Sequence, residues 1–184
     1  VLSSIGNGIY RTSNFLALEE ESYSFKITHQ GEVFEASCTI PKTVQLDDVV
    51  ATENEFFGQK SFVLTPLFQD PGEVKNFYGF VYSKLTEDID KQETTDLILR
   101  DDEFSNGQYN QQPLFGAYAP QAGDTVEVLM IGLAEEVYNF YFSKETNTSS
   151  DSGAPANPVS NWTNGALGYF TAQNVQKKSI IIPK

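Results

Sequence analysis

The sequence holds a single histidine, His29, and a single cysteine, Cys38. A zinc site of the usual kind takes three or four Cys, His or carboxylate ligands at short spacings, so none is expected. One histidine also excludes any relay that needs two, and one cysteine excludes an internal disulfide. Positive charge is scarce as well: 12 Lys and Arg stand against 25 Asp and Glu, a formal net charge of −13. Nucleic acid is therefore not an expected partner, because neutralising phosphates needs clustered Lys and Arg. The same deficit argues against adhesion to an anionic membrane surface. The ordinary meaning of such acidity is solubility. No long apolar run suited to a membrane-spanning helix occurs. P-loop, dinucleotide-binding and nucleophile-elbow motifs are all missing. The chain opens at Val1 without a methionine and reads as a trimmed or mature fragment.

What is abundant is aromatic: 14 Phe and 9 Tyr in 184 residues, crowded into segments that alternate with period two. Tyr23, Phe25 and Ile27 line one face of a predicted strand, and Phe34, Ala36, Cys38 and Ile40 one face of the next. His29-Gln30-Gly31-Glu32 joins them as a hairpin turn. That alternation points Cys38 into the core as a small hydrophobe, with no nearby Lys, Arg or His to activate its thiol. Phe62, Leu64 and Phe68 continue the pattern, with Pro66 marking an edge position or a bulge. Residues 76–84 are apolar on both faces, as a central strand between two layers would be. Residues 124–133 alternate and end at Gly132, and two late strands are predicted at 168–172 and 175–182. Only 134–145 looks helical, with acids in its first turn and Lys144 near its last. Its stripe of Val137, Tyr138, Tyr141 and Phe142 is suited to packing on a sheet. Turn chemistry is dense, at Asn7-Gly8, Asp70-Pro71-Gly72, Asn106-Gly107, Ala122-Gly123-Asp124 and Asn164-Gly165. Residues 146–158 read as a long polar loop.

Together these signs predict an all-β, antiparallel β-sandwich of immunoglobulin-, prealbumin- or jelly-roll-like kind with one short helix. The length suits one large domain or one domain plus a piece of another. A boundary near Pro41-Lys42 divides the chain into 1–41 and 42–184.

Candidate sites are few. The lone His29 reads as an exposed turn residue. Acids cluster from Glu87 to Glu103, and on an EF-hand pattern Asp88 and Asp90 take positions one and three. Position six is then Glu93 instead of Gly and position twelve is Leu99 instead of Glu, so this is not an EF-hand. A looser Ca²⁺ site on Asp88, Asp90, Asp101 and Asp102 is the weaker alternative to a solvated acidic loop, and no cofactor is expected. With so many acids, a carboxylate pair for glycoside hydrolysis is a third-ranked reading that only geometry can test. Aromatic platforms carry more weight. Trp162 lies in a polar loop (SNWTNG), and Tyr109 (NGQYNQQ) and Tyr118 (FGAYAP) have loop-like surroundings. Flat rings beside Asn and Gln suit a glycan or peptide ligand. The competing reading has Trp162 plugging the end of the sandwich.

Several segments, in order, resemble domain-of-unknown-function family 4249, a Bacteroidota family of cell-envelope proteins. They are Gly8-Ile9-Tyr10, Ser22-Tyr23-Ser24-Phe25-Lys26-Ile27, Phe34-x-Ala36 closing at Ile40-Pro41, Phe68-x-Asp70-Pro71 and Asn76-Phe77-Tyr78. There follow Asp101-Asp102-Glu103-Phe104-x-Asn106-Gly107, Gly123-Asp124-Thr125-Val126, Tyr138-x-Phe140-Tyr141 and the ending from Asn157-Pro158 through Asn161 and Gly165 to Phe170. The resemblance implies an N-terminal Ig- or prealbumin-like β-domain, of which residues 1–41 would be the last strands. It also implies a lipid anchor outside this chain and an outer-membrane address in a Gram-negative bacterium. The partner it implies is a TonB-dependent outer-membrane receptor for nutrient uptake. It assigns no catalytic or binding residue. The expected function is a non-enzymatic ligand- or partner-binding protein with Trp162, Tyr109 and Tyr118 at the contact. The alternative is a structural or adhesive module that pairs through its sheet edges.

Overall fold

The computed structural model describes residues 2–13, 15–56, 58–86, 93–148 and 156–184. Eleven strands and one helix follow in order: β1 (Ser3–Gly6), β2 (Ile9–Arg11), β3 (Ser22–His29), β4 (Glu32–Thr39), β5 (Asp48–Phe56), β6 (Gln59–Gln69), β7 (Phe77–Lys84), β8 (Ile98–Asp101), β9 (Tyr109–Asn110), β10 (Thr125–Leu133), α1 (Glu135–Thr148) and β11 (Asn174–Ile181). They form four antiparallel sheets: β11-β10-β7-β8, β5-β6-β9 and the hairpins β1-β2 and β3-β4. The fold is an all-β sandwich with one short helix. No described helix is long and apolar enough to cross a membrane.

Strand β7 shows why residues 76–84 are apolar on both faces. Tyr78, Phe80 and Tyr82 point one way and meet Leu64 and Phe68 of β6, Val126, Val128 and Met130 of β10, and Ile182. This is the core between the two larger sheets, with Phe68 and Tyr78 edge-to-face at 5.0 Å. Phe77 points the other way, into a second cluster with Leu133, Val137, Tyr138 and the buried Cys38. There α1 packs on the outer face of the large sheet, Phe77 against Tyr138 at 4.7 Å. Gly79 lies on that side, where a Cβ would stand 2.8 Å from a Leu97 methyl. Burial pushes the Cys38 thiol pKa up, in keeping with a packing role.

The predicted hairpin forms as β3 and β4 around Gln30-Gly31, both at positive φ. The predicted helix runs on past Lys144 to Thr148, and of its stripe Phe142 stays half exposed, stacked on Tyr138 at 5.9 Å. Pro66 is buried within β6, whose register with β5 is unbroken, so there is no bulge. Phe62 bonds to Pro120 and Leu64 accepts from Leu114, so the even residues of β6 face β9 and the segment after it. The missing N–H of Pro66 falls between the Leu64↔Leu114 and Phe68↔Asn110 pairings, where that ladder is interrupted.

One predicted strand is corrected: residues 168–172 form none. Side chains satisfy this backbone instead of a ladder. Asn161 accepts from the Phe170 N–H at 2.9 Å and donates to its carbonyl at 2.8 Å. Ser160 donates to the Gly168 carbonyl at 2.8 Å. Of the predicted polar loop 146–158, the first three residues are helical and 149–155 lie outside the described residues. Strands β1, β2, β5, β8 and β9 add to those read from alternation.

Candidate functional site

The three aromatics singled out in the sequence go to different places. Tyr118 is buried and donates its hydroxyl to Asp124 at 2.6 Å. Its ring offers no face to a ligand, and burial, reinforced by the Asp124 carboxylate, pushes its pKa well up. Trp162 bridges Ala36 of β4 and sets its ring edge-on to Phe25 at 5.7 Å. Thr163 and Asn164 tie the same loop to Glu35 and Val33, so the tryptophan docks the β3-β4 hairpin onto the sandwich. Tyr109 alone keeps much of its ring exposed, at the start of β9. Partial desolvation and then the neighbouring Asp47 carboxylate raise its pKa.

Of the acids weighed for Ca²⁺, Asp88 and Asp90 lie outside the described residues. Asp101 accepts from the Tyr138 hydroxyl at 3.0 Å and the Glu103 N–H at 3.1 Å. Burial first, and Asp101 second, push the Tyr138 pKa up to about 12. Asp102 is buried and accepts from the Asn76 N–H at 2.7 Å. Among the described residues no group of three or more His, Cys, Asp or Glu is placed to hold a metal ion.

The structural centre of this end of the molecule is a pair of buried carboxylates, Asp70 and Asp102, each 1% exposed. Asp70 takes the Tyr78 hydroxyl on one oxygen and the Gly107 N–H, at 2.9 Å, on the other. Burial first, then that hydrogen bond, raises the Tyr78 pKa and keeps it a donor. The Asp70 N–H reaches the Gln108 carbonyl at 3.0 Å, and Gln69 Nε2 the Gly107 carbonyl at 3.1 Å. Gly72 and Gly107 touch backbone to backbone, a Cβ on either lying 3.1 Å from the other's Cα. Gly107 also sits at φ 72°, so two conditions call for glycine there. Residues 70–76 and 101–108 are thereby locked into one polar node.

The chain leaving that node is held at its far end too. The Leu114 N–H bonds to Leu64 at 2.8 Å, and Tyr82 donates its hydroxyl to the Tyr118 carbonyl at 2.8 Å. A Cβ on Gly116 would stand 2.9 Å from Tyr82 Oη. Asp124 closes the end, accepting from Tyr118, from the Gln121 N–H at 2.9 Å and from Lys84 at 2.7 Å. Burial alone would raise the Asp124 pKa, but these donors more than offset it and hold the carboxyl below its usual range. On this pinned segment Phe104 is 87% and Phe115 70% exposed. Neither was singled out from the sequence. Phe115 follows the buried Leu114, so alternation from Leu114 would have sent it outward.

The family model for a domain of unknown function, DUF4249, matches residues 2–179. The chain belongs to the DUF4249 family. No curated protein and no solved structure matches it. In this DUF4249 chain the Asp70 node joins three of the segments that carried the resemblance: Phe68 to Pro71, Asn76 to Tyr78 and Asp101 to Gly107. Their shared chemistry is architectural. The oxygens of Asp70 and one oxygen of Asp102 serve protein donors, and the node's product is a fixed loop with aromatic rings on its outside.

Proposed function

We propose that this DUF4249 chain is a non-enzymatic binding protein of the cell envelope whose contact surface is the 101–118 segment. The observation that carries the reading is the exposure of Phe104 and Phe115 on a segment pinned by buried carboxylates. Rigid scaffolds that hold apolar rings in water are how binding loops are built, because ordering the loop in advance lowers the entropy cost of association. Tyr109, from the same segment, stays in the contact set; Trp162 and Tyr118 serve it by packing. Family membership supports the wider reading, a lipid-anchored accessory of a TonB-dependent outer-membrane receptor in a Bacteroidota envelope.

A thermal-shift panel of glycans, peptides and Ca²⁺ tests it. A ligand at 100 times its Kd adds about 2.7 kcal/mol, roughly 5–10 °C in midpoint for a domain of this size. A shift with a glycan or peptide that Phe104→Ala or Phe115→Ala abolishes supports the reading. A shift with neither class, together with no capture of the receptor, refutes it. The second reading, a structural module pairing through sheet edges, is favoured by the two separate two-stranded sheets β1-β2 and β3-β4. Self-association that rises with concentration, without ligand binding, would select it.

A further inference from the structure

Strand β8 is the outer strand of the four-stranded sheet, and among the described residues it pairs with β7 alone. The ladder fixes where its backbone groups point. Lys84 and Tyr82 bond to Glu93 and Thr95, whereas Leu85 bonds to Thr125. Even-numbered residues of β7 thus turn their backbone toward β8, and odd-numbered ones toward β10. Tyr78↔Arg100 and Phe80↔Ile98 are therefore the hydrogen-bonded pairs. The backbone N–H of Leu99 and the N–H and C=O of Asp101 face the open edge, where the Leu99 carbonyl already accepts from the Arg100 guanidinium at 3.3 Å.

Beside that edge runs an open groove of about 400 Å³. Its floor is Asp96 to Arg100; Phe115 to Ala117 form one wall and Glu145 of α1 contributes to the other. The walls belong to different layers. Arg100 reaches the Pro113 carbonyl on the β9 side at 3.2 Å, while Leu99 packs in the cluster under α1. The groove therefore follows the strand edge between two layers, where an added strand would lie.

Its charge says what kind of strand. Asp96 is exposed and Glu145 brings a second carboxylate to the lining. Arg100, the one cation of the lining, keeps its charge while donating to the Leu99 and Pro113 carbonyls, so the lining sets two carboxylates against one cation. The chain as a whole carries −13. Phe115 offers an exposed ring to an apolar side chain.

We propose that the edge of β8 receives an extended segment of a partner protein, alternating basic and apolar residues, as an added strand. Main-chain bonds to the Leu99 N–H and to the Asp101 N–H and C=O would supply affinity; Asp96 and Phe115 would select the side chains. The proposal rests on the binding reading above and narrows its partner to a cationic polypeptide.

The test uses two pools of synthetic octapeptides, one alternating valine or phenylalanine with lysine and the other with glutamate in place of lysine, and amide exchange read by NMR. The lysine pool is expected to bind at least tenfold more tightly, and to slow exchange at the Leu99 and Asp101 amides at least tenfold while Ile98 and Arg100 change little. Asp96→Lys is expected to cut lysine-pool affinity at least fivefold without moving the melting midpoint, which separates a lost contact from a lost fold. Equal binding of the two pools overturns the proposal. So does lysine-pool binding that protects other amides and leaves Leu99 and Asp101 unchanged. Glycan binding abolished by Phe104→Ala, with neither pool bound, overturns the strand proposal and keeps the binding reading. No binding of any probe overturns both.

Discussion

The segment from Asp101 to Asn110 and the segment from Ser160 to Phe170 each set a large aromatic among Asn, Ser and Gly, and each bends at an Asn-Gly step. One turns its ring outward and the other inward. Phe104 is 87% exposed, whereas Trp162 is partly buried against Phe25. The difference lies in what pins each loop. Asp102 and Asp70 pull the backbone of the first toward the sandwich, which leaves the apex ring facing solvent. The second is pinned by Asn161 and Ser160 to its own returning chain and lies across the β3-β4 hairpin, so Trp162 meets Phe25. Ring type and loop polarity do not distinguish a contact residue from a packing residue. The location of the buried anchors does.

The severest way to break this contrast is to remove an anchor. Asp70→Ala leaves the Tyr78 hydroxyl and the Gly107 N–H without their acceptor, and should cost about 3 kcal/mol in a urea melt. Asp70→Asn should recover part of that, because an amide oxygen still accepts. Trp162→Ala should cost about 2 kcal/mol, less than for a fully buried tryptophan because the ring is only partly enclosed. Acid should separate the two segments. Asp124, which closes the 101–118 segment, has its folded pKa below the reference 3.8. Its contribution is therefore complete above about pH 4 and is lost as pH falls through the lower folded value. The Gln121 amide, bonded to Asp124, should lose exchange protection as pH falls through that lowered value, while the Phe170 amide, held by the neutral Asn161, keeps its own. Equal loss at both would remove the distinction between carboxylate and amide anchors. The smallest effect is expected at Phe104→Ala, within about 0.5 kcal/mol of the parent in the same melt.

Much of the fold was legible because alternation reports burial. The β3-β4 hairpin, β7 with two apolar faces, β10, β11 and α1 all follow from the spacing of their apolar residues. Strand β5 was not, since its second half, Thr52 to Glu55, is polar on both faces. The failed strand at 168–172 has strand-like residues, but Asn161 and Ser160 capture its backbone, a long-range effect that local pattern cannot register. The anchors left a trace. Phe62, Leu64, Pro66 and Phe68 set an inward parity that Asp70 continues, so period two already points that carboxylate into the core. Asp102 and Phe104 left none, because no alternation runs through Asp101 to Gly107 and the inward direction there is set by Asn76, far off in the chain.

The most direct measurement is a paired one: melting midpoint and ligand response of Phe104→Ala and Trp162→Ala, using the glycan or peptide that shifts the parent most. The account predicts that Trp162→Ala melts about 4–8 °C lower, from about 2 kcal/mol at this size, and keeps its ligand response. Phe104→Ala should melt within about 2 °C of the parent, as a surface change does, and lose the response at least tenfold in affinity. The reverse pattern, with Trp162→Ala silent in stability and blind to ligand while Phe104→Ala binds normally, would contradict it.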